Sequence, residues 1–217
     1  MTVGRRVRLI VPIVAVLVAL GAVLLFVRLS DDQPYDAFWP DGFTAEVRVV
    51  AGDRTVPVEL TDLSPVPGRV AYEGPRLSPG ADAWKPAHEY WGVSVRSILD
   101  RADVDVEIDT VTFVALDGWH KTMPGRLLDG TTDAGTPILA LSVYETPPAE
   151  WDDGPMLVLL PDDEAFGNDD MLASFGEAYA HYFGDSPSTT GLMVKGVVFL
   201  VVNHDGGPLP SLNDLIE

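Results

Sequence analysis

Residues Leu9 to Val27 read LIVPIVAVLVALGAVLLFV, a continuous apolar stretch without a charge. As a helix it would span about 28 Å, close to the thickness of a bilayer's hydrocarbon core. Pro12 falls in the first turn, where its missing N–H does little harm. Arg5, Arg6 and Arg8 precede the stretch and Asp31 and Asp32 follow it. By the positive-inside rule the N-terminus is cytoplasmic and residues 29–217 are extracytoplasmic. The expectation is a single-pass membrane protein. A cleaved signal peptide is the competing reading. The run is long for one, and no A-x-A site follows it.

The charge is distributed to match. The 217 residues carry a formal charge of −19, with 14 basic and 33 acidic residues. Residues 1–28 hold four arginines and no acid, so the remaining chain stands at −23. Such a surface repels phosphate backbones, which argues against nucleic-acid binding. Lysine is rare and occurs only at positions 85, 121 and 195. Cysteine is absent. That excludes disulfides, thiolate nucleophiles, lipoprotein acylation and sulfur ligation of a metal.

The expected organisation is a basic N-terminus (1–8), an anchor (9–28), a polar linker (29–42), one domain (43–203) and a tail (204–217). Thr44–Val50 and Thr55–Leu60 alternate apolar and polar residues around Gly52-Asp53, the pattern of a β-hairpin. Arg69–Glu73 reads as a short strand, and residues 74–90 as an irregular loop rich in Pro, Gly and Trp. Val95, Ile98, Leu99 and Ala102 share one helical face, and Ser94 stands where an N-cap belongs. Thr110–Leu116, Pro137–Val143 and Met156–Leu160 read as strands, with a turn at Asp117-Gly118 leading into Trp119. Met171–Phe183 can form a helix that buries Leu172, Phe175, Tyr179 and Tyr182. Leu192–Val202 reads as a long closing strand with a bulge at Lys195-Gly196. Many strands with two short helices predict an α+β fold.

The order of these pieces resembles the molybdopterin-binding domain of sulfite oxidase-like oxidoreductases. The matching segments are TAEVRVVAGDRTVPVELTDL (44–63), WGVSVRSIL (91–99), VTFVALDGW (111–119), ILALSVYETPPAEWDDGPMLVLLP (138–161) and VKGVVFLVV (194–202). The resemblance covers about residues 43–203. It implies a mixed sheet or barrel-like α+β fold with a few short helices and a molybdopterin cleft. It also locates the missing cysteine. Where the family holds molybdenum, this chain has Val70-Ala71-Tyr72-Glu73-Gly74, so Tyr72 or Glu73 stands near the metal's place. The upstream Arg/His segment that grips the pterin in the enzymes has no counterpart here. The family's Asn-Gly turn is Glu145-Thr146, and the arginine of its later strand is Leu157.

Four further positions are candidates for the cleft. His88 and Trp91 belong to a cluster that includes Trp84, Glu89 and Tyr90, which would line a ligand cavity or pack the loop onto the sheet. His120 follows the Asp117-Gly118 turn, which the resemblance places near the cofactor face; otherwise it is an exposed strand end. Lys195 corresponds to a lysine near the pterin phosphate in the family; alternatively it is a snorkelling lysine that discourages sheet pairing. The expected cofactor-side set is therefore Tyr72, Glu73, His88, Trp91, His120 and Lys195, with no catalytic residue and no metal ligand assigned. Asp162-Asp163-Glu164 with Asn168-Asp169-Asp170 fails as an EF-hand, since Phe166 and Ala173 occupy ligand positions. It reads as a solvated acidic loop. The resulting expectation is an anchored binding or accessory module without molybdenum redox catalysis and with no resident cofactor, molybdopterin being the one the resemblance offers. Two alternatives stay open: an oxidoreductase whose metal is held without cysteine, and a structural subunit attached to a membrane-protein partner.

Overall fold

The computed structural model describes Trp39 and residues 42–203, except residues 79, 80, 105, 145 and 147. The anchor expected at 9–28, most of the linker, Glu145 and the 204–217 tail lie outside the described residues. Among the described residues no helix is long and apolar enough to cross a membrane.

The architecture is mixed α+β, with two five-stranded sheets and two α-helices among the described residues. The first sheet contains β1 (Glu46–Ala51), β2 (Arg54–Glu59), β5 (Thr110–Ala115), β6 (His120–Pro124) and β12 (Val197–Val202). Their order is β2-β1-β12-β5-β6. The predicted hairpin is present: Ala51 pairs with Arg54 across Gly52-Asp53, and Gly52 takes a positive φ of 63° that glycine tolerates. The closing strand lies parallel to β1, with Ala51 opposite Val202, and antiparallel to β5, with Ala115 opposite Val197.

All six residues of β5 are buried. One face sends Val111, Phe113 and Ala115 into the main core. Val114 joins Val50, Phe199 and Val201 in a smaller cluster on the other face. Two-sided burial accounts for a run whose only polar residues are two threonines.

The second sheet contains β3 (Pro65–Tyr72), β4 (His88–Ser94), β7 (Thr136–Val143), β8 (Met156–Leu160) and β9 (Ala165–Phe166), ordered β8-β7-β4-β3-β9. Gly92 lies on β4 at a register shift against β7. A Cβ there would come within 2.1 Å of the Leu139 carbonyl oxygen, so only glycine lets these strands approach. The sheets are joined where the segment before β12 bonds to the one around β8. Leu157 N–H donates to the Val194 carbonyl at 2.9 Å, and Val197 N–H to the Pro155 carbonyl at 2.8 Å.

Helix α1 (Val95–Arg101) begins as expected, with the Ser94 hydroxyl accepting from Ser97 N–H at 3.1 Å. It buries Val95, Ile98 and Leu99, each contributing about 1.5–3 kcal/mol.

Four expectations need correction. Helix α2 runs Asn168–Phe175, not Met171–Phe183. It ends at Gly176, whose φ of 75° turns the chain away, and Tyr182-Phe183 forms strand β10 of a small hairpin with β11 (Ser186–Pro187). Asn168-Asp169-Asp170 is accordingly the first turn of α2, where acidic side chains complement the helix N-terminus, rather than part of a solvated loop. The closing strand begins at Val197; residues 189–192 form a 3-10 turn, and Gly196 takes a φ of 62°. Lys195 therefore precedes the strand instead of interrupting it. The expected irregular loop also ends early, because His88, Glu89 and Tyr90 already belong to β4.

Candidate functional site

A cavity of about 620 Å³ opens where the end of β3, the start of β4, the β7–β8 connection and the segment before β12 meet. Each segment delivers side chains for a local reason. The carbonyl of Tyr72, at the end of β3, accepts from Lys85 N–H at 2.8 Å, which draws Lys85 to the rim. His88 and Tyr90 are two apart on β4 and so share its cavity-facing side, their rings edge-on at 6.3 Å. Tyr144 is held by its N–H to the Glu89 carbonyl at 2.8 Å. Trp151 packs against Gly154, where a Cβ would lie 2.8 Å from the indole. Lys195 reaches across to Asp153, with Nζ 2.8 Å from Oδ2.

The walls carry four large aromatic rings, Tyr72, Tyr90, Tyr144 and Trp151, and two of the chain's three lysines stand at the edge. Lys195 is paired with Asp153, both side chains being about half exposed. Lys85 has no carboxylate partner among the described residues. Burial, and then the negative charge of Asp153, raise the Tyr90 phenol above its ordinary value. Tyr90 therefore stays a neutral donor in the neutral range. Aromatic faces beside ammonium groups suit a flat, negatively charged molecule.

The structure brings three of the six expected residues, Tyr72, His88 and Lys195, to this one cavity. The other three stand elsewhere. Trp91 alternates to the opposite side of β4 from Tyr90. His120 opens β6, exposed, with Nδ1 3.2 Å from its neighbour Gly118's carbonyl. It pairs with Val114, whose side chain belongs to the smaller cluster on the far face of the first sheet. Glu73 adjoins the cavity in sequence but turns into the protein.

Glu73 is 2% exposed and holds three segments together. Its Oε2 accepts from Asn168 N–H, the first residue of α2, at 2.9 Å, and its Oε1 accepts from Arg76 Nε. Its backbone carbonyl accepts from the Thr189 hydroxyl at 2.7 Å and from Thr189 N–H at 3.0 Å. Buried Asn168 completes the clamp, its Nδ2 donating to the Gly74 carbonyl and its Oδ1 accepting from Thr189 N–H.

The Tyr72 hydroxyl is equally engaged. It donates to the Leu159 carbonyl at 3.0 Å and accepts from Leu159 N–H at 2.7 Å, satisfying both groups on the outer side of edge strand β8. Burial pushes this phenol far above its ordinary range. Molybdenum therefore does not fit at the place the resemblance assigns it. Both oxygen-bearing side chains there already make internal hydrogen bonds, and a metal would have to break them. Among the described residues no cluster of three or more His, Asp or Glu is arranged to hold a metal ion.

Sequence reasoning passed over Lys85, Tyr144, Trp151, Asp153, Thr190 and Met193 as lining residues. For Lys85 a signal existed: a lysine is an unusual choice in so acidic a chain. The others are assembled by long-range contacts that carry no local signature. No protein-family model matches this chain, and no curated protein matches its sequence.

Proposed function

We propose that residues 43–203 form a binding module of the sulfite oxidase-like, molybdopterin-binding type, held outside a membrane by residues 9–28. It takes a flat anionic ligand into the Tyr72–Lys195 cavity without molybdenum redox catalysis. One observation carries this reading: on a chain of charge −19, two of three lysines and four large aromatic rings converge on one cavity. A pterin bearing a phosphate has the matching chemistry. Its ring system would lie among Tyr72, Tyr90, Tyr144 and Trp151, and its anionic group would face Lys85 and Lys195. The engagement of Tyr72 and Glu73 within the fold speaks against the alternative in which either replaces the cysteine as a metal ligand.

The test is to purify the full chain in detergent from cells able to make molybdopterin, then measure metal content and the fluorescence of pterin released on denaturation. Released pterin without stoichiometric molybdenum or tungsten is the expected result. Stoichiometric metal would overturn the non-redox part of the reading, and absence of both would overturn the pterin.

A further inference from the structure

A second group of side chains gathers outside the cavity, on the β5–β6 turn, β6 and the β10–β11 hairpin. Leu116 is 67% exposed, Trp119 50%, Tyr182 40% and Phe183 63%. Single exposed apolar residues are ordinary, but these belong to one tract. The Trp119 ring meets His181 edge-on at 6.3 Å, and Lys121 Nζ lies 5.7 Å from the Trp119 ring centroid. Tyr182 and Phe183 directly follow His181.

The tract runs into the mouth of the cavity. The His181 ring lies over Gly191, where a Cβ would come within 1.7 Å of it, and the preceding Thr190 lines the cavity. Leu116 N–H donates to the carbonyl of Gly196, the neighbour of Lys195.

Charge follows the same line. Lys121 lies over Trp119 in this tract, and the other two lysines line the cavity. Asp117 and Asp185 are also here, Asp153 is paired with Lys195, and Glu89 and Asp152 adjoin the cavity's lining residues, so the tract carries no excess of positive charge. Anionic headgroups would repel so acidic a protein as a whole, so zwitterionic headgroups are the ones that fit this tract. Tryptophan, tyrosine and lysine together suit the interfacial layer of a bilayer, where rings sit at headgroup depth and ammonium groups reach phosphate. The ten residues 29–38 can span at most about 35 Å, so a domain anchored by residues 9–28 stays near that layer at high local concentration.

We propose that Leu116, Trp119, Lys121, Tyr182 and Phe183 seat the domain on the headgroup region of a zwitterionic bilayer, with the cavity mouth beside the lipid surface. The inference rests on the reading of residues 9–28 as an anchor.

The natural lack of cysteine makes the test clean. Single cysteines are placed by Phe183→Cys, by Leu116→Cys and, as a control, by Asp53→Cys. Asp53 lies in the β1–β2 turn, at the other end of the first sheet from Leu116 and toward its opposite edge. The full chain is nitroxide-labelled and reconstituted into vesicles of phosphatidylcholine. Collisions with oxygen and with a water-soluble nickel chelate are then compared. Labels at 183 and 116 should favour oxygen several-fold over the label at 53, and Trp119→Ser with Lys121→Gln should return the label at 183 to water. Labels at 183 and 116 as water-exposed as the one at 53 would overturn the proposal. Shielding of those labels only in native membranes would overturn it too, pointing to a protein partner. Alkaline carbonate extraction tests the anchor separately. If the chain is stripped, the anchor reading fails, and the labelled chain is added to preformed vesicles. Immersion of label 183 would then sustain the lipid-facing tract, and its absence would overturn it.

Discussion

Replacing Glu73 by alanine removes a buried carboxylate from the junction of β3, α2 and the 189–192 turn. The Asn168 amide, now bonded to Oε2 at 2.9 Å, would become a buried donor without an acceptor. That loss costs about 1–3 kcal/mol, and the space left by the Cγ methylene and the carboxylate adds about 1 kcal/mol. The Arg76 contact contributes less, because its guanidinium is half exposed and regains water. Glu73→Ala should therefore lower stability by about 2–4 kcal/mol. Glu73→Gln keeps the shape and one acceptor for Asn168, and should lose only about 1–2 kcal/mol. The assay is urea unfolding followed by tryptophan fluorescence, in which the alanine variant's midpoint should fall by about 1–2 M at unchanged slope. The clamp would be refuted if Glu73→Ala stayed within about 0.5 kcal/mol of the parent, the scale of an ordinary surface substitution. Equal losses in the two variants would show that the carboxylate's charge and its second acceptor, not the shape and single acceptor that glutamine keeps, matter at this position.

Tyr72→Phe should destabilise by about 1–3 kcal/mol, since it leaves the Leu159 N–H without its 2.7 Å acceptor; thermal unfolding would show it. Gly92→Ala should lose about 3 kcal/mol, because its Cβ would sit 2.1 Å from a backbone oxygen; a near-neutral result in the same assay would refute the close approach of β4 and β7. Lys85→Met should cut pterin retention about tenfold, equivalent to about 1.4 kcal/mol, with little change in unfolding temperature. His181 is held below its ordinary value of 6.5 by burial and then by Lys121, so on acidification the unfolded chain binds this proton first. Its contribution to stability is complete above about pH 6.5 and is lost as pH falls toward the lower folded value. Unfolding temperatures between pH 8 and 5 should fall less steeply in His181→Gln than in the parent.

Local patterns were legible where one residue type decided the backbone. The β1–β2 hairpin follows from alternation around Gly52, and α1 from the Ser94 cap and the Val95–Ile98–Leu99 face. The second helix was misread because Leu172, Phe175, Tyr179 and Tyr182 keep a helical spacing across Gly176. The periodicity is real on paper, but the positive φ at Gly176 breaks it. Lys195 was placed in a strand because apolar residues flank it, whereas the chain around it pairs with 153–157 before joining the sheet. The cavity was half legible. Tyr72, His88 and Lys195 could be named, but Glu73's inward turn depends on Asn168 and Thr189, about a hundred residues distant. No local window contains that information.

The place of β12 between β1 and β5 has a consequence for how the molecule is made. Until Val202 has emerged from the ribosome, the first sheet exists only as two separate pairs, β1-β2 and β5-β6, each with an unfilled side. Their union waits for the last strand, which must find a partner about 150 residues earlier in the chain and lie parallel to it. Long-range pairing of this kind is slow to form, and open edges invite association with other chains in the meantime. A fragment ending before Val197 should therefore aggregate instead of folding into a smaller version of the same domain.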